Sequence, residues 1–383
     1  MTEREEMLEQ MVDAMRRYAR EELVPAEDEV ETTEEIPDRI VRQLKEFGLF
    51  GMTVPEEYGG LGLSVYEEVR MVFEITYASP VFRSYFGTTN GVGTLGLVNE
   101  GTDEQRQRYL PRIASGEMMA SFCLTEPDAG SDVASLTTKA VRDGDHWVIN
   151  GTKRFITNAV HAGLFTVFAR TGTKESGANG ISAFLVERGT PGITVAKPYR
   201  KMGFHGSHES DVIFDNVRVP ANAMLGAEGT GFKNAMRSLD HARVHMAAVA
   251  AGLCVRLIDE GLKYAEERVQ FGRPIANFQM IQAMLAESQA EAYAARAMIE
   301  KAARDKDAGK DITMESACCK YFATEAVGRI ADRMLQIHGG NGYIKEYPIE
   351  RLYRDVRLLR IYEGTSQVQQ LIVAREMRKR RGG

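Results

Sequence analysis

The 383-residue chain has only four cysteines and one tryptophan, and no uncharged apolar run longer than the ten residues Met246 to Val255. Ten apolar residues are about half of the ~20 that cross a bilayer, so no membrane span is expected. Cys123, Cys254, Cys318 and Cys319 contain no C-x-x-C pair. The adjacent pair has the wrong geometry to bridge, so all four are expected as reduced core thiols. The N-terminus carries Glu3, Glu5, Glu6 and Glu9 where a secretory leader needs a basic start and an apolar stretch, which predicts a cytoplasmic location. A G-x-S-x-G elbow and a P-loop lysine are also missing, and with them the main supports of a hydrolase or a nucleotide triphosphatase.

What is present is an ordinary globular composition, 44% hydrophobic and 27% charged. The net charge of -6 is uneven. Residues 1–36 hold thirteen acids against four bases, whereas Arg375 to Arg381 holds five bases. Both ends read as solvated faces, with nucleic-acid binding by the tail as an alternative.

Apolar residues spaced by three or four predict helices over 2–24, stopped by Pro25, and over 37–48, 65–77 and 103–113. From 121 to 226 the period becomes two. Runs at 137–142, 146–150, 153–157, 164–169, 181–186, 193–195 and 212–219 read as strands, with hairpin turns at Asp143-Gly144 and Asn150-Gly151. Long helical periodicity returns over 232–268, 278–307, 313–337 and 366–381. The expected architecture is multi-domain α+β: a helical unit (1–118), a small β-sandwich or barrel (119–226) and an antiparallel helix bundle (227–383).

Some patterns mislead. Gly91-Val92-Gly93-Thr94-Leu95-Gly96 spells G-x-G-x-x-G, but it lies in a helical zone without the preceding strand that a dinucleotide fold requires, and these glycines are expected to lie away from the site. His241 and His245 have zinc-ligand spacing with Ala242 where H-E-x-x-H needs glutamate, and no third ligand is visible. His205, His208 and Glu209 form an equally loose group.

Other segments carry chemistry. Phe122-Cys123-Leu124-Thr125-Glu126-Pro127-Asp128-Ala129-Gly130-Ser131-Asp132 offers hydroxyls and a Gly-Ser turn, and Phe155-Ile156-Thr157-Asn158 an aromatic face beside a hydroxyl. Arg268 and Arg273 suit phosphates, Phe271 stacking, and Gln336 to Gly342 a close backbone approach. Glu363 follows the apolar Leu358, Leu359 and Ile361 and precedes a glycine. Desolvation there would make it a stronger base, although a helix-capping role is also open.

In order and spacing, F-C-L-T-E-P-D-A-G-S-D, F-I-T-N, E-R-V-Q-F-G-R-P-I, Q-I-H-G-G-N-G-Y and I-Y-E-G-T-S-Q resemble the acyl-CoA dehydrogenase family, from the first helix to Ala374. The resemblance implies a helical, β, helical-bundle fold, a homotetramer, FAD bound between subunits, and an electron-transfer flavoprotein as acceptor. By position it implies that Phe122, Leu124, Thr125, Gly130, Ser131, Phe155 and Thr157 meet the flavin end. It further implies that Arg268, Phe271, Gln279, Gln336, Gly339 and Gly340 come from a neighbouring subunit, and that Thr365 and Gln367 touch the adenine side. Ser131, Asp240, Arg243, Tyr362 and Gly364 match substrate-side positions. Glu363 matches the base that removes the thioester α-proton while hydride leaves for the flavin, and Arg243 the arginine of the long helix near the active site. A subgroup of the family carries its base where this chain has Ala242, which leaves Glu363.

Arg83-Ser84 coincides with an Arg-Ser pair resembling the carboxylate clamp of glutaryl-CoA dehydrogenase. A buried guanidinium facing an aliphatic tail is costly, and an ω-carboxylated acyl chain would supply its counter-charge. An outward-pointing or locally paired Arg83 is the alternative. The expectation is α,β-dehydrogenation of a short or medium acyl-CoA, with glutaryl, adipyl or pimeloyl types in view, or the reverse reduction. An acyl-CoA oxidase would use the same residues.

Overall fold

The computed structural model describes residues 2–382. Helix α1 (Glu3–Tyr18) opens with a capping box in which the Thr2 hydroxyl accepts from the Glu5 amide and Glu5 accepts from the Thr2 amide. Pro25 does not stop this helix. A π-helical turn, Ala19–Leu23, leads straight into α2 (Val24–Thr33), and Pro25 follows it as the second residue of α2, so the irregular turn absorbs the proline without ending the helix. Helices α3 (Asp38–Glu46), α4 (Val65–Ile75), α5 (Pro80–Asn90), α6 (Val92–Glu100) and α7 (Asp103–Ala114) complete this region.

The middle region contains β1 (Met119–Cys123), β2 (Lys139–Asp143), β3 (His146–Thr157), β4 (Ala162–Arg170), β5 (Ile181–Glu187), β6 (Ile193–Val195), β7 (Glu209–Pro220) and β8 (Met224–Leu225). They pair in the order β6-β7-β3-β2-β4-β5-β8, with β1 parallel to β4. The two halves of this path meet only at Lys139 and Arg170. They enclose one apolar cluster around Trp147, Phe165, Phe184 and Phe214, as in a sandwich. Asn150-Gly151 is not a turn: β3 runs through it with a bulge. Gly151 is needed there because a Cβ would lie 2.3 Å from the Thr138 hydroxyl.

The third region is α8 (Gly231–Glu267), a short hairpin of β9 (Val269–Gln270) and β10 (Arg273–Pro274), α9 (Gln279–Asp307), α10 (Thr313–His338), α11 (Pro348–Val356) and α12 (Ser366–Arg380). The sequence pattern passed over α11, a helix of only nine residues behind a glycine break. The first helical region and this bundle share one hydrophobic core, from Leu8 and Val12 to Ile330 and Ile349. Where α8 crosses α4, a Cβ on Gly252 would lie 2.1 Å from the Thr76 hydroxyl, so the close packing depends on glycine. Helix α8 is long and apolar enough by composition to cross a membrane, but 94% of that window is buried in protein. The cysteines are free thiols, three of them buried.

Candidate active site

Glu363 sits in the bend before α12 with φ +55°, followed by Gly364 at φ +87°. Two successive left-handed residues turn the chain sharply, a conformation costly for glutamate and held by its surroundings. Lys320 of α10 donates to the Gly364 carbonyl at 2.6 Å, and the Gln369 amide donates to the Glu363 and Gly364 carbonyls at 3.2 and 3.0 Å. Helix α12 is capped by the Thr365 hydroxyl, which accepts from the Val368 amide, so Glu363 is not the cap. Among the described residues its carboxylate has no hydrogen-bond partner.

The Glu363 side chain faces a small cavity that also receives Arg83, Ser84, Thr157, Tyr362, His241 and His245. Burial raises the Glu363 carboxyl above its ordinary value, opposed by the charges of Arg83, Lys320 and Arg243. The result is a stronger base than a surface glutamate, with three cations near enough to stabilise negative charge developing beside it. Ala242 lines the same cavity and offers no competing carboxylate. Gly91 lines it too, which corrects the expectation that the G-x-G-x-x-G glycines lie away from the site. It breaks the chain between α5 and α6, with no strand before it.

Arg83 is buried in α5 and points into the cavity rather than outward. Its Nε donates to His245 Nε2 at 2.8 Å, and its Nη1 lies 3.9 Å from Met246 Sδ. No carboxylate pairs with it among the described residues. Beside it, the Ser84 and Ser207 hydroxyls lie 3.1 Å apart, and Ser207 donates to Glu209, which is itself paired with Lys201. The histidines of α8 do have a third partner, Glu68 of α4, contrary to expectation. His241 Nε2 and His245 Nδ1 lie 2.6 and 2.7 Å from its oxygens. His208 groups with Glu35 and His161 rather than with Glu209, and His205 pairs with Glu31. Asp240 and Arg243 pair with each other, and Asp240 also accepts from Thr313.

The residues expected at the flavin side form a second group. The Arg154 amide donates to the Thr125 carbonyl at 2.8 Å and Ser121 donates to the Thr157 carbonyl at 2.7 Å, so the segments holding Phe122, Leu124, Thr125, Phe155 and Thr157 are neighbours. An ion pair beneath them was not legible locally. Buried Lys153 lies 2.8 Å from Glu126 and also donates to the Leu124 carbonyl, while Glu126 accepts from the amides of Thr137 and Thr138. Asn158 ties the same strand end to α5 by donating to the carbonyls of Ser84 and Tyr85.

Phe155, 58% exposed, presents a bare aromatic face, and a Cβ on Gly130, Gly339 or Gly340 would meet nothing within 4 Å, leaving backbone open to a phosphate. With the hydroxyls of Thr125, Ser131 and Thr157, this donor set fits FAD. Arg268, Phe271, Gln279, Gln336, Gly339, Gly340 and Gln367 are not brought to the cavity. All are exposed, Phe271 to 93%.

A largely desolvated carboxylate in a small cavity, next to aromatic and hydroxyl groups suited to a planar cofactor, is a set that can move a proton beside a redox cofactor. Comparison with known proteins makes this specific. Residues 3–117, 121–217 and 229–378 match the N-terminal, middle and C-terminal domains of acyl-CoA dehydrogenase. The chain is 42% identical over 382 residues to the acryloyl-CoA reductase (NADH) of Anaerotignum propionicum, covering 99% of this chain and 96% of that one. It is 40% identical over 347 residues to the caffeyl-CoA reductase-Etf complex subunit CarC of Acetobacterium woodii, covering 91% of each. The structure superposes on butyryl-CoA dehydrogenase from Megasphaera elsdenii with TM-score 0.94 (34% identity, 98% of each chain). It superposes on a glutaryl-coenzyme A dehydrogenase with TM-score 0.92 (35% identity, 98% of this chain and 95% of that one). The chain belongs to the acyl-CoA dehydrogenase family, whose members are FAD-dependent oxidoreductases.

Proposed function

We propose that this enzyme interconverts a short-chain acyl-CoA and its 2-enoyl-CoA, and that the acyl chain ends in a carboxylate recognised by Arg83. Glu363 takes the α-proton, and Arg83, Lys320 and Arg243 steady the charge that develops as it leaves. FAD, when bound, supplies the hydride acceptor for the β-hydrogen. The observation that carries the reading is a buried guanidinium sharing the Glu363 cavity without a carboxylate partner. Glu363 and Glu68 act on its charge, but neither is hydrogen-bonded to it, which leaves its terminal nitrogens open to a substrate carboxylate. Ser84, hydrogen-bonded to Ser207, adds a hydroxyl at the same place.

The same reading gives the supporting residues the following roles. Phe122, Leu124, Thr125, Gly130, Ser131, Phe155 and Thr157 hold the flavin end, Thr365 and Gln367 the adenine side, and Arg268, Phe271, Gln279, Gln336, Gly339 and Gly340 serve a neighbouring subunit's FAD in a tetramer. The exposure of the last six in a single chain supports that division. Ser131, Asp240, Arg243, Tyr362 and Gly364 lie toward the thioester and CoA. Domain boundaries fall near residues 118 and 226.

Relatives named as reductases, one of them within an Etf complex, favour enoyl reduction in cells with an electron-transfer flavoprotein as partner. The oxidase alternative finds no support in the relatives and structures named above. A cytoplasmic location fits the four reduced thiols. Nucleic-acid binding loses ground because Arg375, Lys379 and Arg380 of the basic tail pair with Glu376 and Glu315.

The test is anaerobic flavin bleaching by glutaryl-, adipyl-, pentanoyl- and hexanoyl-CoA in the wild type and in Arg83→Ala. The expected result is a loss confined largely to the carboxylated substrates. Equal loss on charged and neutral chains refutes the carboxylate reading.

A further inference from the structure

Arg83 lies at the end of a buried chain of hydrogen bonds that the reaction itself does not require. The Arg83 Nε–H can only donate, so His245 Nε2 must accept. The proton of a neutral His245 therefore sits on Nδ1, which points at Glu68 Oε1, 2.7 Å away. Glu68 is fully buried and also meets His241 Nε2 at 2.6 Å and the Asn90 amide at 2.8 Å. Burial would raise its carboxyl, but the two imidazoles outweigh burial and keep it well below the ordinary range, so it is the anion of the group. Burial, with Arg83 adding to it, pushes His245 down to about 4, which agrees with a neutral ring accepting from arginine.

Glu68 is therefore an anion one imidazole away from Arg83 and outside the cavity lining, while Glu363 shares the cavity with Arg83 and acts on its charge. The bond to His245 uses Nε, so Nη1 and Nη2 have no oxygen acceptor among the described residues, and Nη1 has only the weak Met246 sulfur. Glu68, His241 and His245 have the composition of a metal-ligand set, but their facing atoms are already hydrogen-bonded to one another and to Arg83. A bound cation would have to break those bonds.

We propose that His245, anchored by Glu68, is a specificity-determining positioning residue that fixes the direction of Arg83, so that its two terminal nitrogens face the far end of the acyl chain as a preformed fork for a carboxylate. This rests on the reading that Arg83 recognises a carboxylate. It adds that the positive charge alone is insufficient and that the bond to His245 supplies the aim. A fork held by its inner nitrogen binds two oxygens in parallel without ordering the side chain at the moment of binding.

The experiment measures the ratio of kcat/KM for glutaryl-CoA to that for pentanoyl-CoA, which have equal carbon counts, on FAD-loaded enzyme with an artificial electron acceptor. Five proteins are compared: wild type, Arg83→Ala, Arg83→Lys, His245→Phe and His245→Gln. Arg83→Ala should lower the ratio by about a hundredfold, the scale of a hydrogen-bonded charge contact. Arg83→Lys keeps the charge but has no Nε–H for His245, and should lower the ratio by at least about tenfold. His245→Phe should do the same, while His245→Gln, whose amide can accept from Arg83 and donate to Glu68, should stay within about threefold of wild type. A purely structural role for His245 would move both substrates together and leave the ratio alone.

If Arg83→Ala is selective but Arg83→Lys keeps the wild-type ratio, the relay is wrong and the carboxylate reading stands. A His245→Phe enzyme with an unaltered ratio overturns the relay in the same way. If Arg83→Ala leaves the ratio unchanged, both proposals fall. Should His245→Phe not fold, the Arg83→Lys comparison decides alone.

Discussion

Replacing Glu363 with glutamine removes the proposed proton acceptor and keeps its shape. The expected loss follows from what else lies in or beside the cavity. Glu209 is engaged by Ser207 and Lys201, Glu68 is turned toward two histidines, and Ala242 offers no acceptor. No second carboxylate is free, and His241 and His245 are tied to Glu68 and Arg83, so the loss should reach the upper end for a general base, about 10⁴-fold, or ~5.5 kcal/mol in the barrier. The assay is stopped-flow bleaching of the flavin by acyl-CoA without oxygen, on protein first shown to be yellow and fully loaded. A loss below about tenfold in loaded protein would refute the assignment of Glu363 as base. A second readout has the opposite sign. Because burial raises the Glu363 carboxyl in the folded state, ionising it penalises folding once the pH exceeds the ordinary 4.5. Glutamine mimics the protonated form, so the variant should be more stable than wild type at pH 8, with the gap closing below pH 4.5. A variant less stable than wild type at pH 8 contradicts the desolvation argument.

Beneath the flavin-side loop, Glu126→Ala should cost about 3–5 kcal/mol by stranding Lys153, and Glu126→Leu with Lys153→Met should recover much of it. Urea unfolding followed by flavin release checks both; a near-zero single-site effect discounts the pair. Burial would raise the Glu126 carboxyl, but Lys153 and the Thr137 and Thr138 donors hold it at about 2. Its contribution is therefore complete above the ordinary 4.5 and lost as the pH falls toward 2, which acid titration of flavin release would show. Gly252→Ala should destabilise the enzyme by about 1–3 kcal/mol by forcing α8 off α4, with little effect on kcat of the protein that remains folded.

The three-part order of helices, strands and helices was legible because each zone keeps one hydrophobic period over many residues. Glu363 was legible as a lone acid among apolar neighbours, and Arg83 through the resemblance of Arg83-Ser84 to a carboxylate clamp. Glu68 was not: in sequence it is a first-turn acid of α4, and only the fold carries it 173 and 177 residues away to His241 and His245. Glu126, in the loop after β1, and Lys153, in β3, are 27 residues apart with no local pattern linking them. Lys320 was hidden among the small residues of α10, where the only clue was a charge on a buried face. Asn150-Gly151 and Pro25 misled for a shared reason. Each has strong turn or stop chemistry, and each was absorbed by a local irregularity, a bulge in β3 and a π turn before α2.

The left-handed backbone of Glu363 also limits how this site can change over evolutionary time. Whatever residue replaces the glutamate must accept φ near +55° between a tyrosine and a glycine, which disfavours β-branched side chains and leaves glycine, asparagine and aspartate as the least strained options. A descendant that abandons the chemistry but keeps the fold should therefore drift first to one of those three. A gene copy carrying glycine or asparagine at this position, with its neighbours intact, would be the molecular fossil of an enzyme that has stopped turning over.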